Sequence, residues 1–240
     1  SKAIISRRTL GGLLAAAAAV LFLIGYFTFF KAEPISYRTA IAEQQSIQLP
    51  DGSTVVLNAQ SALIRPANNF KNNRRLKLNG EAYFEVKEGS TFSVLTDNGT
   101  VTVLGTEFSV YSRGNQTGVT CKSGSVRVEN NAGKSIILNA GKRVYIIEDR
   151  LTSVDSISTT NIATWTEGVS SFESEYLGIV AQAIESQFDT QIILPKNLAD
   201  ERFTGSFLHN DLETALRMVF GPMNLEFRKI DDQQWEVLEK

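Results

Sequence analysis

The chain has 240 residues, of which 42% are hydrophobic, with 24 basic and 26 acidic side chains and a formal charge of −2. That balance argues against nucleic acid as a partner. The single cysteine, Cys121, rules out an intramolecular disulfide, so the fold must rest on its hydrophobic core.

The first element in chain order is an uncharged run over residues 10–30, which as a helix would reach about 31 Å and match a bilayer core. Lys2, Arg7 and Arg8 precede it with no acidic residue among them. The positive-inside bias therefore predicts a transmembrane helix with residues 1–9 as a cytoplasmic stub and everything after it across the membrane. A cleaved signal peptide is the competing reading, but the run is long for an h-region and no small-x-small site follows it. Residues 31–43 read as a periplasmic linker. Without the three basic residues before the span, 21 basic side chains face 26 acidic ones.

From residue 44 to 154 the pattern is that of short strands rich in β-branched and aromatic residues, among them Thr54-Val-Val-Leu57, Ala82-Tyr-Phe-Glu-Val86 and Arg143-Val-Tyr-Ile-Ile147. Asp51-Gly52, Asn79-Gly80, Asn98-Gly99, Ser123-Gly124 and Ala140-Gly141 mark turns. An all-β domain follows, a β-roll or sandwich. Leu78-Asn-Gly80 through Val86 and Lys122-Ser-Gly124 through Val128 both read strand, glycine, strand, which suggests an internal two-fold repeat.

Residues 155–164, within a Ser/Thr-rich stretch, read as a second linker. Residues 165–240 then form a βαβ-βαβ domain of the α+β class. Leu177, Val180, Ala181, Ile184 and Phe188 share one helical face with Ser174 as N-cap, and Gln191 to Leu194 follows as a strand. Phe203 to Phe207 is a strand, and Leu212, Ala215, Leu216 and Val219 form a second helix face. Asn210 with Glu213 suits a capping box, and Gly221-Pro222 is a stop. A hairpin ends the chain, and both halves are expected to share one sheet.

Candidate chemistry is sparse. His209 is the one histidine and reads as a surface loop residue, so no metal or cofactor site is predicted. Glu81 and Glu85 share a strand face with Tyr83 and could serve a glycan-processing enzyme. Because Ala82, Phe84 and Val86 alternate with them toward the core, the acids are expected to point into solvent. Cys121 reads as a buried thiol.

Taken in order, Leu49-Pro-Asp-Gly-Ser53 through Leu63, Leu78 through Val86, Val101-Thr-Val-Leu-Gly-Thr-Glu-Phe-Ser-Val110, Gly124-Ser-Val-Arg-Val128, Leu138-Asn-Ala-Gly141 and Trp165-x-x-Gly168-x-x-x-Phe172 resemble the FecR family of membrane-bound anti-sigma factors. The C-terminal domain resembles the secretin/TonB short N-terminal domain. The resemblance implies a single-pass inner-membrane protein whose periplasmic part senses the signalling domain of an outer-membrane TonB-dependent transporter. It further implies that proteolysis at the membrane releases a region controlling an extracytoplasmic-function sigma factor. That sigma-binding region precedes the anchor in the family, and only nine residues precede it here.

The resemblance also implies self-cleavage at Gly105-Thr106 by attack of the threonine hydroxyl on the preceding carbonyl, against a simple glycine bulge between strands. As a strand able to accept a partner at its edge, Phe203, Thr204, Gly205, Ser206 and Phe207 form a candidate contact segment, against a core role for both phenylalanines. A binding and signalling protein is thus expected, with a tethered glycan enzyme or an envelope structural or adhesive module as alternatives.

Overall fold

The computed structural model describes residues 16–22 and 33–239. Residues 16–22 are helical and exposed, and the rest of the expected span lies outside the described residues. Among the described residues no helix is long and apolar enough to cross a membrane.

The body starts earlier than the sequence pattern indicates. Strand β1 (Ile35–Arg38) falls in the stretch expected to be a linker and pairs with a later strand, Tyr37 packing against the core. Four residues of weak alternation were too short a signal for a strand. After it come β2 (Gln45–Gln48), β3 (Thr54–Leu57), β4 (Ala62–Arg65), β5 (Arg74–Glu85), β6 (Phe92–Leu95) and β7 (Gly99–Val103). Next are β8 (Glu107–Arg113), β9 (Gln116–Ser123), β10 (Ser125–Asn130), β11 (Ser135–Asn139) and β12 (Lys142–Ile147), then the two-residue strands β13 (Arg150–Leu151) and β14 (Asp155–Ser156).

These strands form two sheets around one apolar core. The first runs β1-β4-β5-β6-β7-β10-β11 and the second β2-β3-β5-β8-β9-β12, with β13 and β14 on β12. Strand β5 belongs to both: up to Asn79 it pairs with β4 and β6, and from Gly80 onward with β3 and β8. Gly80 sits at the crossing with φ +105°, and a Cβ there would lie 2.3 Å from Ser61 Oγ, so glycine is required on both counts. Gly124, at φ +75°, separates β9 of the second sheet from β10 of the first. The two strand-glycine-strand segments are therefore two passages between sheets. Leu57, Leu63, Leu78, Phe84, Phe92, Phe108 and Val110 fill the core, with Phe84 and Phe108 stacked at 4.9 Å. Cys121 lies among them, and burial raises its thiol to about 11, as suits an inert core residue.

Leu49-Pro-Asp-Gly-Ser53 is a turn held from inside. Gly52 N–H donates to the Leu49 carbonyl at 2.9 Å, and Asp51 accepts from the Ser53 amide at 3.0 Å. Buried Arg74 reaches Asp51 at 3.0 Å and donates to the carbonyls of Lys87 and Ser90, which fixes the loop after β5. The carbonyls serve both terminal nitrogens of this buried ion pair, while among the described residues Arg74 Nε finds no acceptor.

The stretch expected as a second linker is folded as well. β14 pairs with β12, two 3₁₀ turns cover Thr159–Asn161 and Thr164–Glu167, and Trp165 is buried. The C-terminal domain follows with β15 (Val169–Tyr176), α1 (Leu177–Phe188), β16 (Gln191–Ile193), α2 (Lys196–Ala199), β17 (Arg202–Leu208), α3 (Leu212–Phe220), β18 (Leu225–Lys229) and β19 (Gln234–Glu239).

The order of elements is that of two βαβ halves, but they do not share a sheet. β15 pairs with β17, while β16 and β18 flank β19. Their common element is the core of Leu177, Val180, Ile184, Phe203, Phe207, Leu216, Phe220 and Val237. Both helix starts differ from expectation. Ser174 lies inside β15 at φ +48°, where the register slips, and Tyr176 is the N-cap of α1. For α3 the cap is Asp211, whose carboxylate accepts from Thr214 N–H at 2.7 Å; Gly221 ends that helix.

Candidate functional site: the seam between sandwich and C-terminal domain

The outer face of the second sheet follows strand parity. Glu81, Tyr111, Gly118 and Tyr145 are register partners across β5, β8, β9 and β12, so their side chains form one row; Tyr83, Ser109, Thr120 and Arg143 form the next. With Gly118 in the row there is room for the Tyr145 ring, since a Cβ there would lie 2.6 Å from it.

This face is not open to solvent as the alternation of β5 suggested. The C-terminal domain and the segment before it cover part of it, enclosing a cleft of about 100 Å³. Of the carboxylate pair considered in the sequence, Glu81 faces the cleft while Glu85 is exposed on the strand. Tyr83 is buried too, its hydroxyl donating to Glu107 at 2.8 Å and accepting from Lys122 at 3.0 Å; burial raises it to about 12.

Glu81 accepts from Asn58 Nδ2 at 2.7 Å. Glu81 is half-buried and lines the cleft, and burial raises its pKa despite Asn58 and Arg113. The Trp165 indole N–H faces this carboxylate and favours its charged form, but closes no hydrogen bond with it.

Arg143 is the centre of the seam. Only 5% exposed, it reaches from β12 into the C-terminal domain, with Nη1 at 3.1 Å from Glu175 and Nη2 donating to the carbonyls of Glu173 and Ser174, each at 2.9 Å. The left-handed residue Ser174 turns these carbonyls toward the guanidinium. Asp155 stands at 3.5 Å. Burial alone would lower the Arg143 pKa, but Glu175 and Tyr145 outweigh it and the net direction is upward. Glu175 also accepts from the Tyr145 hydroxyl and from Tyr176 N–H at 2.9 Å, yet burial still raises it.

Further contacts close the seam. Gln44 Nε2 donates to the Trp165 carbonyl at 2.8 Å, Ala42 N–H to the Ser186 carbonyl at 3.1 Å, and Tyr111 hydroxyl to Gln182. The motif Trp165-x-x-Gly168-x-x-x-Phe172 thus runs along the junction: Gly168, at φ +81°, accepts from His209 N–H at 3.1 Å, and Phe172 stacks on Phe207 at 5.9 Å. His209 lies in the turn after β17, as expected, but is half-buried. Its Nε2 lies 2.9 Å from Ser170 Oγ, and burial lowers its pKa.

The residues singled out in the sequence lie elsewhere. Gly105 and Thr106 form the passage from β7 in the first sheet to β8 in the second, and the register of β8 with β9 slips directly after it, between Glu107 and Phe108. A Cβ on Gly105 would lie 2.7 Å from Glu88 Cα, and the Thr106 hydroxyl donates to the Ser125 carbonyl at 3.0 Å. Close packing accounts for both residues. Phe203 and Phe207 are core residues of the C-terminal domain, with Thr204, Gly205 and Ser206 between them on β17. The two phenylalanines are therefore not free to fill pockets on a partner. Arg143, Tyr145, Trp165 and Glu175 were not identified from sequence as a group. The parity of β8 and β12 carried the signal for Tyr111, Arg143 and Tyr145.

Among the described residues, no group of three or more histidine, cysteine, aspartate or glutamate side chains could hold a metal ion. No curated protein matches the sequence. The fold is shared with two crystal structures, each of a candidate anti-sigma factor from Parabacteroides distasonis. The one at 2.50 Å has TM-score 0.76 and 22% identity over 87% of this chain and 100% of that one. The other, at 1.65 Å, has TM-score 0.75 and 21% identity over 86% and 99%. A model of the FecR protein family matches residues 35–127, within the sandwich, and a model of the FecR C-terminal domain matches residues 170–237, on the far side of the seam. With both domains matched in order, the chain belongs to the FecR family.

Proposed function

We propose that the chain is the periplasmic sensor portion of a single-pass anti-sigma factor. In this reading the span over residues 10–30 anchors it in the inner membrane with its N-terminus in the cytoplasm. The folded body reads the state of an outer-membrane TonB-dependent transporter through that transporter's signalling domain. The message reaches an extracytoplasmic-function sigma factor by regulated proteolysis at the membrane, through a cytoplasmic sigma-binding region that precedes the anchor in this family.

The observation that carries the reading is the seam. A charged, buried junction links a sandwich to a separately cored second domain, as suits a body that transmits a contact made on one domain to the other. Likeness in fold to two candidate anti-sigma factors supports it. A glycan-processing role is disfavoured because Glu81 and Glu85 have different surroundings and do not act as a pair across an open groove. Self-cleavage at Gly105-Thr106 has no part in the proposal.

The test is direct binding. The purified chain in detergent micelles, immobilised, should capture the purified signalling domain of a transporter encoded beside it, with saturation at one-to-one stoichiometry. Absence of saturable capture, with both proteins folded by circular dichroism, would exclude the sensor reading.

A further inference from the structure

The seam cleft holds more unmet hydrogen-bonding capacity than a docking interface needs. Trp165 is 5% exposed, and among the described residues its Nε1–H, though it faces Glu81, completes no hydrogen bond; Arg143 Nε–H completes none either. Buried donors left this way are uncommon and each calls for an explanation. Glu81 lines the same space beside the Trp165 N–H, with an acceptor oxygen beyond the one that Asn58 occupies. The walls between these polar groups are apolar, with Trp165, Phe172, Ile162, Ile179 and Ala183 lining the cleft. Water alone suits the polar end and leaves the hydrocarbon wall poorly covered. A molecule with a short carbon skeleton and hydrogen-bonding groups at both ends suits both.

Size and charge narrow the class. About 100 Å³ is less than the roughly 150 Å³ that houses a six-carbon ring, so the occupant has about four to six heavy atoms. Arg113, Arg143, Glu81 and Glu175 all line the cleft, with Arg143 paired to Glu175 and Arg113 acting on Glu81 through its charge. With near-balanced charge and burial disfavouring the ionised form of Glu81, no net charge is demanded of the ligand. A hydroxyl both donates and accepts, as Glu81 and the Trp165 and Arg143 N–H groups together require.

We propose that the seam cleft is a binding site for a small uncharged polyol of about three carbons, whose hydroxyls bridge Glu81 to the Trp165 and Arg143 N–H groups. Such a ligand would touch both domains at once and tighten their docking. The site stands independently of the signalling assignment, since its binding is measured on the chain alone.

Glycerol and ethylene glycol are the probes, titrated calorimetrically and by ligand-observed NMR into the full chain in micelles. Polyols also stabilise proteins in general by exclusion from their surface, so the comparison with variants is what counts. Trp165→Phe keeps the aromatic wall and removes the donor; Ala183→Leu fills the cleft. The expected result is saturable one-site glycerol binding in the millimolar range, weakened about tenfold or more in both variants. Circular dichroism checks that each variant is folded. A non-saturating response in the parent chain overturns the proposal, as does equal binding by a folded Trp165→Phe variant.

Discussion

Truncation of Arg143 to alanine removes two hydrogen bonds to carbonyl oxygens at 2.9 Å, the ion pair to Glu175 at 3.1 Å and the weaker contact with Asp155 at 3.5 Å. It also strands Glu175, which is 8% exposed and would keep only the Tyr145 hydroxyl and the Tyr176 amide. Breaking a buried pair by removing one partner costs roughly 3–5 kcal/mol. Loss of the cation 5.3 Å from the Tyr145 ring centroid adds about 0.5–2 kcal/mol, whereas the part-exposed Asp155 contributes little.

A total near 5 kcal/mol is a large share of the roughly 5–15 kcal/mol that holds a domain folded. Urea unfolding followed by circular dichroism and tryptophan fluorescence measures it. The double variant Arg143→Met with Glu175→Leu removes both charges and should regain most of the loss, because the stranded carboxylate is the main penalty. A cost below about 1 kcal/mol for Arg143→Ala, or a double variant at least as unstable as the single one, would refute this account of the seam.

Glu81→Gln should stabilise the chain at neutral pH while keeping the Asn58 hydrogen bond. Burial raises the Glu81 carboxyl above its ordinary value of 4.5, so the folded state holds this proton more tightly than the unfolded one. The resulting penalty is absent below 4.5 and grows as pH rises through the folded-state value; the advantage of the variant, read from urea midpoints, should follow that course and vanish in acid. Gly118→Ala places a Cβ 2.6 Å from the Tyr145 ring and should cost about 1–3 kcal/mol in the same assay, with altered tyrosine near-UV signals. Thr106→Ala loses one hydrogen bond to the Ser125 carbonyl, a cost of about 1 kcal/mol. Denaturing gels should show one intact band for both this variant and the parent, and a cleaved parent with an intact variant would reopen the question of self-cleavage.

Local chemistry was legible where it acts over a few residues. The alternation of β5 separates Ala82 and Phe84 from Glu81 and Glu85, and the Gly80 and Gly124 echo marks real passages between sheets. Parity cannot say what lies against an outward face, and so Glu81 read as a solvent residue when the C-terminal domain covers it. The same limit hid Arg143, whose partners Glu173, Ser174 and Glu175 lie some thirty residues on, in a strand whose register slip has no signature in side-chain pattern. Capping went astray by one residue at α3 because Asn210 and Asp211 are both good caps, and only the extended backbone of Asp211 selects it.

Glu81 follows directly on Gly80, the residue at which β5 leaves one sheet for the other. A load applied at the seam therefore enters the sandwich at the midpoint of a strand shared by both layers, and neither layer can slide without dragging that strand from its neighbours in the other. Pulled through its C-terminal domain, the body should resist as one rigid lever arm and yield first where the domains meet.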